Sequence, residues 1–137
     1  MRIVRVLVAV LALAGGLAAC ASLGDPGYSW SDPARQRLHE AIRLYDEGDF
    51  LGSVRKLETS SEIWVSSIPV RIAAYKQLAF SNCAAGRRNS CRRAFENLLF
   101  LDPSYELSPL EIGHPVWGPV FQQAKRDATT RAVTGVR

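Results

Sequence analysis

Ile72–Tyr105 reads IAAYKQLAFSNCAAGRRNSCRRAFENLLFLDPSY, and its spacing decides the fold. Counted from Ile72 as one, Tyr75 is fourth, Leu78 seventh, Ala79 eighth, Gly86 fifteenth, Cys91 twentieth, Phe95 twenty-fourth and Pro103 thirty-second. Small residues at Ala79 and Cys91 let two antiparallel helices approach closely. Gly86 permits the tight link between them, because glycine tolerates the left-handed backbone such a turn needs. Pro103 ends the second helix, since it has no N–H to continue the ladder. The stretch therefore predicts a helical hairpin, with Pro69 opening its first helix and Ile72, Tyr75, Ala79 and Cys83 on one stripe. Gly86–Asn89 is a basic turn, and Ser90–Leu101 is the second helix with Cys91, Ala94, Phe95, Leu98 and Leu99 inward.

That spacing is the tetratricopeptide pattern. An earlier, degenerate copy begins at Ala34. Asp32-Pro33 supplies an N-cap and a first-turn proline. Leu38, Ala41, Ile42 and Tyr45 recur on one helical face. Gly48-Asp49-Phe50 is the turn, and a second helix places Phe50, Val54 and Leu57 inward and ends near Ser60-Ser61. Half the signature is missing: Arg37 and Glu40 stand where large apolar residues belong, and Val65 stands where proline does. Glu62–Pro69 reads as a connecting loop with Ile63, Trp64 and Ile68 packed. Leu107–Gly118 is a second loop, with Pro109, Gly113, Pro115 and Gly118. Pro119–Asp127 is a last amphipathic helix that caps the open end of the stack, as arrays of this kind require. Ala128–Arg137 reads as a frayed tail. The expected fold is all-α: about two helical hairpins of tetratricopeptide type over residues 32–128 with a C-terminal capping helix, and a tail over 129–137.

Upstream of this domain the composition changes. Arg2 and Arg5 precede the short apolar run Val6–Ala14, which is too short to span a bilayer as a helix. Gly15-Gly16 breaks the run, and Leu17-Ala18-Ala19-Cys20 follows. A charged start, a short apolar core and small residues at the cut form a secretory signal over residues 1–19. Small residues directly before a cysteine make a lipobox, which resembles that of bacterial lipoproteins. The resemblance implies that Cys20 takes a diacylglyceryl thioether, becomes the mature N-terminus and is N-acylated with a palmitate-type chain. More than one acyl chain is what stable anchoring needs. Ala21, rather than Asp, implies by the same resemblance sorting to the outer membrane, on its periplasmic face. Residues 20–31 are the lipidated cysteine and a flexible tether with Tyr28 and Trp30. Fully extended, Ala21–Ser31 reaches about 35–40 Å.

The whole chain of 137 residues carries +4. Loss of Arg2 and Arg5 takes Lys plus Arg from 17 to 15 against 13 acids, a net of about +2. The basic balance is therefore partly signal peptide and does not argue for nucleic acid. Of three cysteines, Cys83 and Cys91 remain once Cys20 is acylated. They are either a disulfide across the hairpin or two buried thiols, with Cys91 filling the small position. An oxidising periplasm favours the bridge, which would add on the order of 2–3 kcal/mol.

No catalytic constellation emerges. His39 and His114 are far apart in sequence, with no Cys/His/Asp set at ligand spacing. No phosphate loop or nucleophile elbow is present. The reading is a non-enzyme with no cofactor, no metal and no small-molecule substrate. Arg87, Arg88, Arg92 and Arg93 form the strongest charge patch, either a solvated tip or a dock for an acidic partner. Mapped from the repeat type, the concave partner-binding face carries His39, Ile42, Lys76, Gln77 and Phe80. Trp117 is either a core or a docking residue, with burial favoured.

Phe80–Cys83, Gly86–Arg88, Cys91-Arg92, Phe95-Glu96, Leu101–Pro109 and Gly113–Phe121 together resemble the TssQ-type lipoproteins associated with bacterial type VI secretion systems. The block Gly113-His114-Pro115-Val116-Trp117-Gly118-Pro119 is the most specific part. The resemblance implies an outer-membrane accessory or scaffold factor that holds a component of the secretion apparatus. The alternative is a general envelope assembly lipoprotein serving outer-membrane protein insertion or cell-wall machinery. A cell-wall hydrolase is a weak third reading, since no acid pair or metal set is apparent.

Overall fold

The computed structural model describes residues 32–135, and all of the secondary structure there is helical. The signal sequence, Cys20 and the tether with Tyr28 and Trp30 lie outside the described residues.

Helix α1 (Pro33–Asp46) starts where Asp32 accepts a hydrogen bond from Ala34 N at 3.0 Å, with Pro33 in the first turn. The chain reverses at Gly48, whose φ of +84° suits a residue without a Cβ. Helix α2 (Phe50–Thr59) is capped by Asp49, which accepts from Gly52 N at 2.7 Å. After a single turn, α3 (Ser61–Trp64), the second hairpin follows: α4 (Ile68–Ala84) and α5 (Arg88–Leu101), linked through Gly86 at φ +74°. A second single turn, α6 (Pro109–Ile112), precedes α7 (Gly118–Thr134), which packs on α5.

The α1/α2 hairpin packs on α4, and the apolar side chains form two clusters. Ala34, Leu38, Ala41, Leu57, Ile63, Val70 and Ala74 make one. The other joins Ala79, Phe80, Phe95, Leu98, Leu99, Leu107, Val120, Phe121 and Ala124 around the cysteine pair. Leu78 touches both, so α4 is the shared wall. Burying side chains of this size contributes about 1.5–3 kcal/mol each before conformational entropy is charged against it. Between α2 and α4 runs a polar seam: Ser53 Oγ lies 2.9 Å from Ser81 Oγ, and Gln77 Nε2 donates to Ser81 Oγ at 3.3 Å. Small hydroxyl residues here satisfy one another where the helices meet.

Cys83 and Cys91 are bridged, with Cα atoms 5.1 Å apart. The bridge staples the last turn of α4 to the first turn of α5.

Several boundaries differ from the sequence reading. Helix α4 begins at Ile68, and α5 begins at Arg88 rather than Ser90. Each expected loop holds a helical turn. In the first, Trp64 Nε1 donates to Leu57 O at 3.0 Å and Ile63 is fully buried, which folds the segment onto α1. In the second, Ser108 and Glu111 form a capping box. The largest correction is at the C-terminus. Residues expected as a frayed tail from Ala128 continue α7 to Thr134. Ala128 packs against the core, and Arg131 reaches Glu96 at 3.8 Å. Thr129, Thr130 and Thr134 turn their hydroxyls back onto carbonyls one turn earlier. Gly135, at φ +66°, then ends the helix.

Candidate partner-binding surface

The loop between α5 and α7 folds back over α4 and builds the most elaborated surface of the domain. Pro109 and the Ser108–Glu111 capping box set α6: Ser108 N donates to Glu111 Oε2 at 2.9 Å, and Glu111 N to Ser108 Oγ at 3.3 Å. That orientation points the other Glu111 oxygen at α4, where Lys76 Nζ donates to it at 2.7 Å. Burial pushes the Glu111 carboxyl up, but its bonds from Lys76 and Ser108 together outweigh this and hold it below the usual value of 4.5.

Trp117 closes the loop. Its Nε1 donates to Glu111 O at 3.0 Å. One face stacks on Phe80, centroids 4.5 Å apart, and His114 lies parallel to the ring at 3.3 Å. Val116 O sits 4.0 Å from Cys83 Sγ, over the bridge. Gly118 is required by close approach: a Cβ there would stand 2.2 Å from Ile112 O. The indole is half-buried, so Trp117 both packs and shows an edge to solvent.

The expected concave face is only partly present. Lys76 keeps 30% of its side chain exposed. Gln77 and Phe80 are each 8% exposed and belong to the interior. This corrects their assignment to an open face. Gln77 is taken up by the seam with Ser81, and Phe80 is covered by Trp117 and packed edge-on against Phe95 at 6.1 Å. His39 is exposed on α1 and Ile42 is half-buried against the first cluster. His39 therefore belongs to the first hairpin, whereas Lys76, Phe80 and Trp117 are brought together by α4 and the loop.

The arginine patch divides. Arg92 is paired with Glu96 at 3.6 Å and Asp127 at 3.3 Å, and Arg93 donates to Ser90 at 3.1 Å. Arg87 and Arg88 are exposed at the hairpin turn, with no acid within ion-pair distance among the described residues.

Sequence reasoning missed Glu111 and a groove of about 730 Å³ between α7 and the preceding loop. Ile112, Phe121 and Val133 line its apolar part, and Lys125, Arg126 and Thr130 are among the polar residues that line the rest. Lys125 is held by Tyr105 O at 3.2 Å and by Glu106. The Ser-x-x-Glu spacing at Ser108–Glu111 was the readable signal for the capping box; the groove depends on α7 running past Asp127 and had no such signal. Among the described residues no group of three His, Cys, Asp or Glu side chains could hold a metal ion, and no helix is long and apolar enough to cross a membrane.

No protein-family model, curated protein or solved structure matches the chain.

Proposed function

We propose that the chain is a lipid-anchored binding module of the bacterial envelope. Cys20 holds it to the periplasmic face of the outer membrane, and the helical domain docks a protein partner without catalysing a reaction. The observation that carries this reading is the Cys83–Cys91 bridge in a chain whose opening residues read as a lipoprotein export signal. Such a bridge persists in an oxidising compartment and is rare in a reducing one. Two hairpins of tetratricopeptide type, stacked with a terminal helix on the end, offer surface rather than a reaction cleft. The resemblance to the TssQ-type lipoproteins, centred on Gly113–Pro119, makes a type VI secretion component the first partner to test.

The test is crosslinking in cells followed by affinity capture of the full-length lipoprotein, with Cys20→Ser as the unanchored control. Enrichment of secretion membrane-complex or baseplate proteins that disappears in the control is the expected result. Enrichment of barrel-assembly or cell-wall proteins would move the role to general envelope assembly. Capture of no envelope component would sink the binding reading.

A further inference from the structure

Three large apolar side chains stand exposed at the end of the domain where the tether enters. Val65, in the link between α3 and α4, and Ile68, the first residue of α4, are 86% and 51% exposed, and Phe100, in the last turn of α5, is 86% exposed. Their placement follows from the topology. Helix α2 runs back along α1, so α3 returns to the first turns of α1; Ile63 and Val70 pack in one cluster with Ala34 and Leu38. Val65 and Ile68 lie between those two anchors and hence beside Asp32, where the chain enters from the tether. Helix α5 is antiparallel to α4, pinned near the turn by the disulfide and by Phe80 against Phe95. Its last turn, with Phe100, therefore lies toward the same end.

That end also carries a cation without a partner. Arg71, in the first turn of α4, is half-buried; its Nε has no hydrogen-bond partner, and no acid pairs with it among the described residues. Side chains on a helix lean toward its N-terminus, which aims Arg71 at this end. Of the acids toward this end, Asp32 caps α1, Glu62 meets Arg37 at 3.8 Å and Asp102 accepts from Ser104, while Glu58, in the last turn of α2, is exposed with no ion pair among the described residues. Apolar side chains beside an unpaired guanidinium match the boundary between acyl chains and headgroup phosphates.

The chain upstream of Asp32 makes a bilayer the occupant. Only eleven residues separate Cys20 from Asp32. Even fully extended, a chain of that length reaches no more than about 35–40 Å. We infer that the tether-side end of the domain rests on the phospholipid leaflet that holds the acyl chains, with Val65, Ile68 and Phe100 at headgroup depth and Arg71 toward phosphate. This rests on the lipid-anchor reading above. Helix α4 spans about 25 Å at 1.5 Å per residue, so the Arg87–Arg88 turn stands off the membrane and faces the periplasm.

The test uses the mature, full-length lipoprotein in liposomes of phosphatidylethanolamine and phosphatidylglycerol. The photoreactive residue p-benzoylphenylalanine replaces Val65, Phe100 or, as the far-end control, Arg88. Irradiation and mass spectrometry should give phospholipid adducts at 65 and 100, several-fold above those at 88, and Val65→Asp in a chain probed at Ile68 should remove most adducts there. Equal yields at the three positions, no adducts, or crosslinks to a second copy would overturn the inference while leaving the anchor intact. The same spectra report the acyl mass on the Cys20 peptide. Its absence would overturn the anchor reading, and the membrane-docked orientation with it.

Discussion

Asp49 and Gly52 show how one turn of helix can be held by two residues with opposing demands. Asp49 caps α2 by accepting from Gly52 N at 2.7 Å, and its carboxylate occupies the space that a side chain at 52 would fill. A Cβ on Gly52 would stand 2.0 Å from Asp49 Oδ2, and the three nearest atoms all belong to Asp49. The obstacle is the end of a movable side chain, so Gly52→Ala should fold. It would displace the cap, a loss of about 1 kcal/mol. Alanine gains about 1 kcal/mol over glycine in a helix. The two effects offset, and Gly52→Ala should be close to neutral on the natural background. With Asp49→Ala already in place there is no cap to lose, and the same substitution should stabilise by about 1 kcal/mol. Urea denaturation of the four chains tests this; equal effects of Gly52→Ala on both backgrounds would reject the coupling.

At the scale of elements, the second hairpin is closed by a covalent bond and the loop over it by an ion pair. The Cys83–Cys91 bridge spans eight positions. In the chain-entropy model a loop of that size contributes about 2.5 kcal/mol, so reduction should lower the melting temperature by about 10 °C or more in a domain of this size. A melt unchanged by reductant would show that the α4/α5 packing is sufficient alone. The loop responds to acid instead. The carboxyl of Glu111 titrates below 4.5 in the folded chain, its burial outweighed by the bonds from Lys76 and Ser108. A carboxyl depressed by folding stabilises above its unfolded value, and that stability is lost as pH falls through the folded value. Trp117 fluorescence should therefore report loosening of the loop below about pH 4.5, and Glu111→Gln should flatten that change while weakening the loop at neutral pH. The elements themselves were largely legible. Asp32, Pro33, Asp49, Gly48 and Gly86 each act locally, through a cap or a positive φ, and each stands where its element begins or turns. The burial of Phe80 and Gln77 was not legible, because Phe80 is covered by Trp117 from a loop far downstream and Gln77 bonds Ser81 Oγ where α4 meets Ser53 of α2. The far half of α7 was hidden for another reason. Its contacts come from Ala128 and from arginine and threonine, which leave no apolar period to read.

For the whole molecule, the distribution of paired and unpaired charge separates the cations that hold helices together from those that do not. Arg92 ties α5 to α7 through Asp127, and Arg131 does the same through Glu96, so these cations hold the domain together. Arg87 and Arg88 hold nothing: they project from the α4/α5 turn with no acidic partner among the described residues. They also lie at the end opposite Val65 and Ile68, away from the tether. An exposed pair of like charges at a turn is not required for folding, and charge reversal at such positions changes stability by about 0.5 kcal/mol or less. Toward an acidic partner of the kind proposed above, the same reversal removes attraction and adds repulsion, an effect screened by salt over about 8–10 Å. Arg87→Glu with Arg88→Glu should therefore leave the melting temperature nearly unchanged and cut partner capture in cells, and capture by the natural chain should weaken as salt is raised. Arg92→Glu is the contrasting case, because it breaks contacts with Glu96 and Asp127 and should lower the melting temperature by loosening α7. Undiminished capture by the double reversal would move the docking surface to the Lys76–Glu111–Trp117 rim, where Lys76→Ala would be the next substitution to measure.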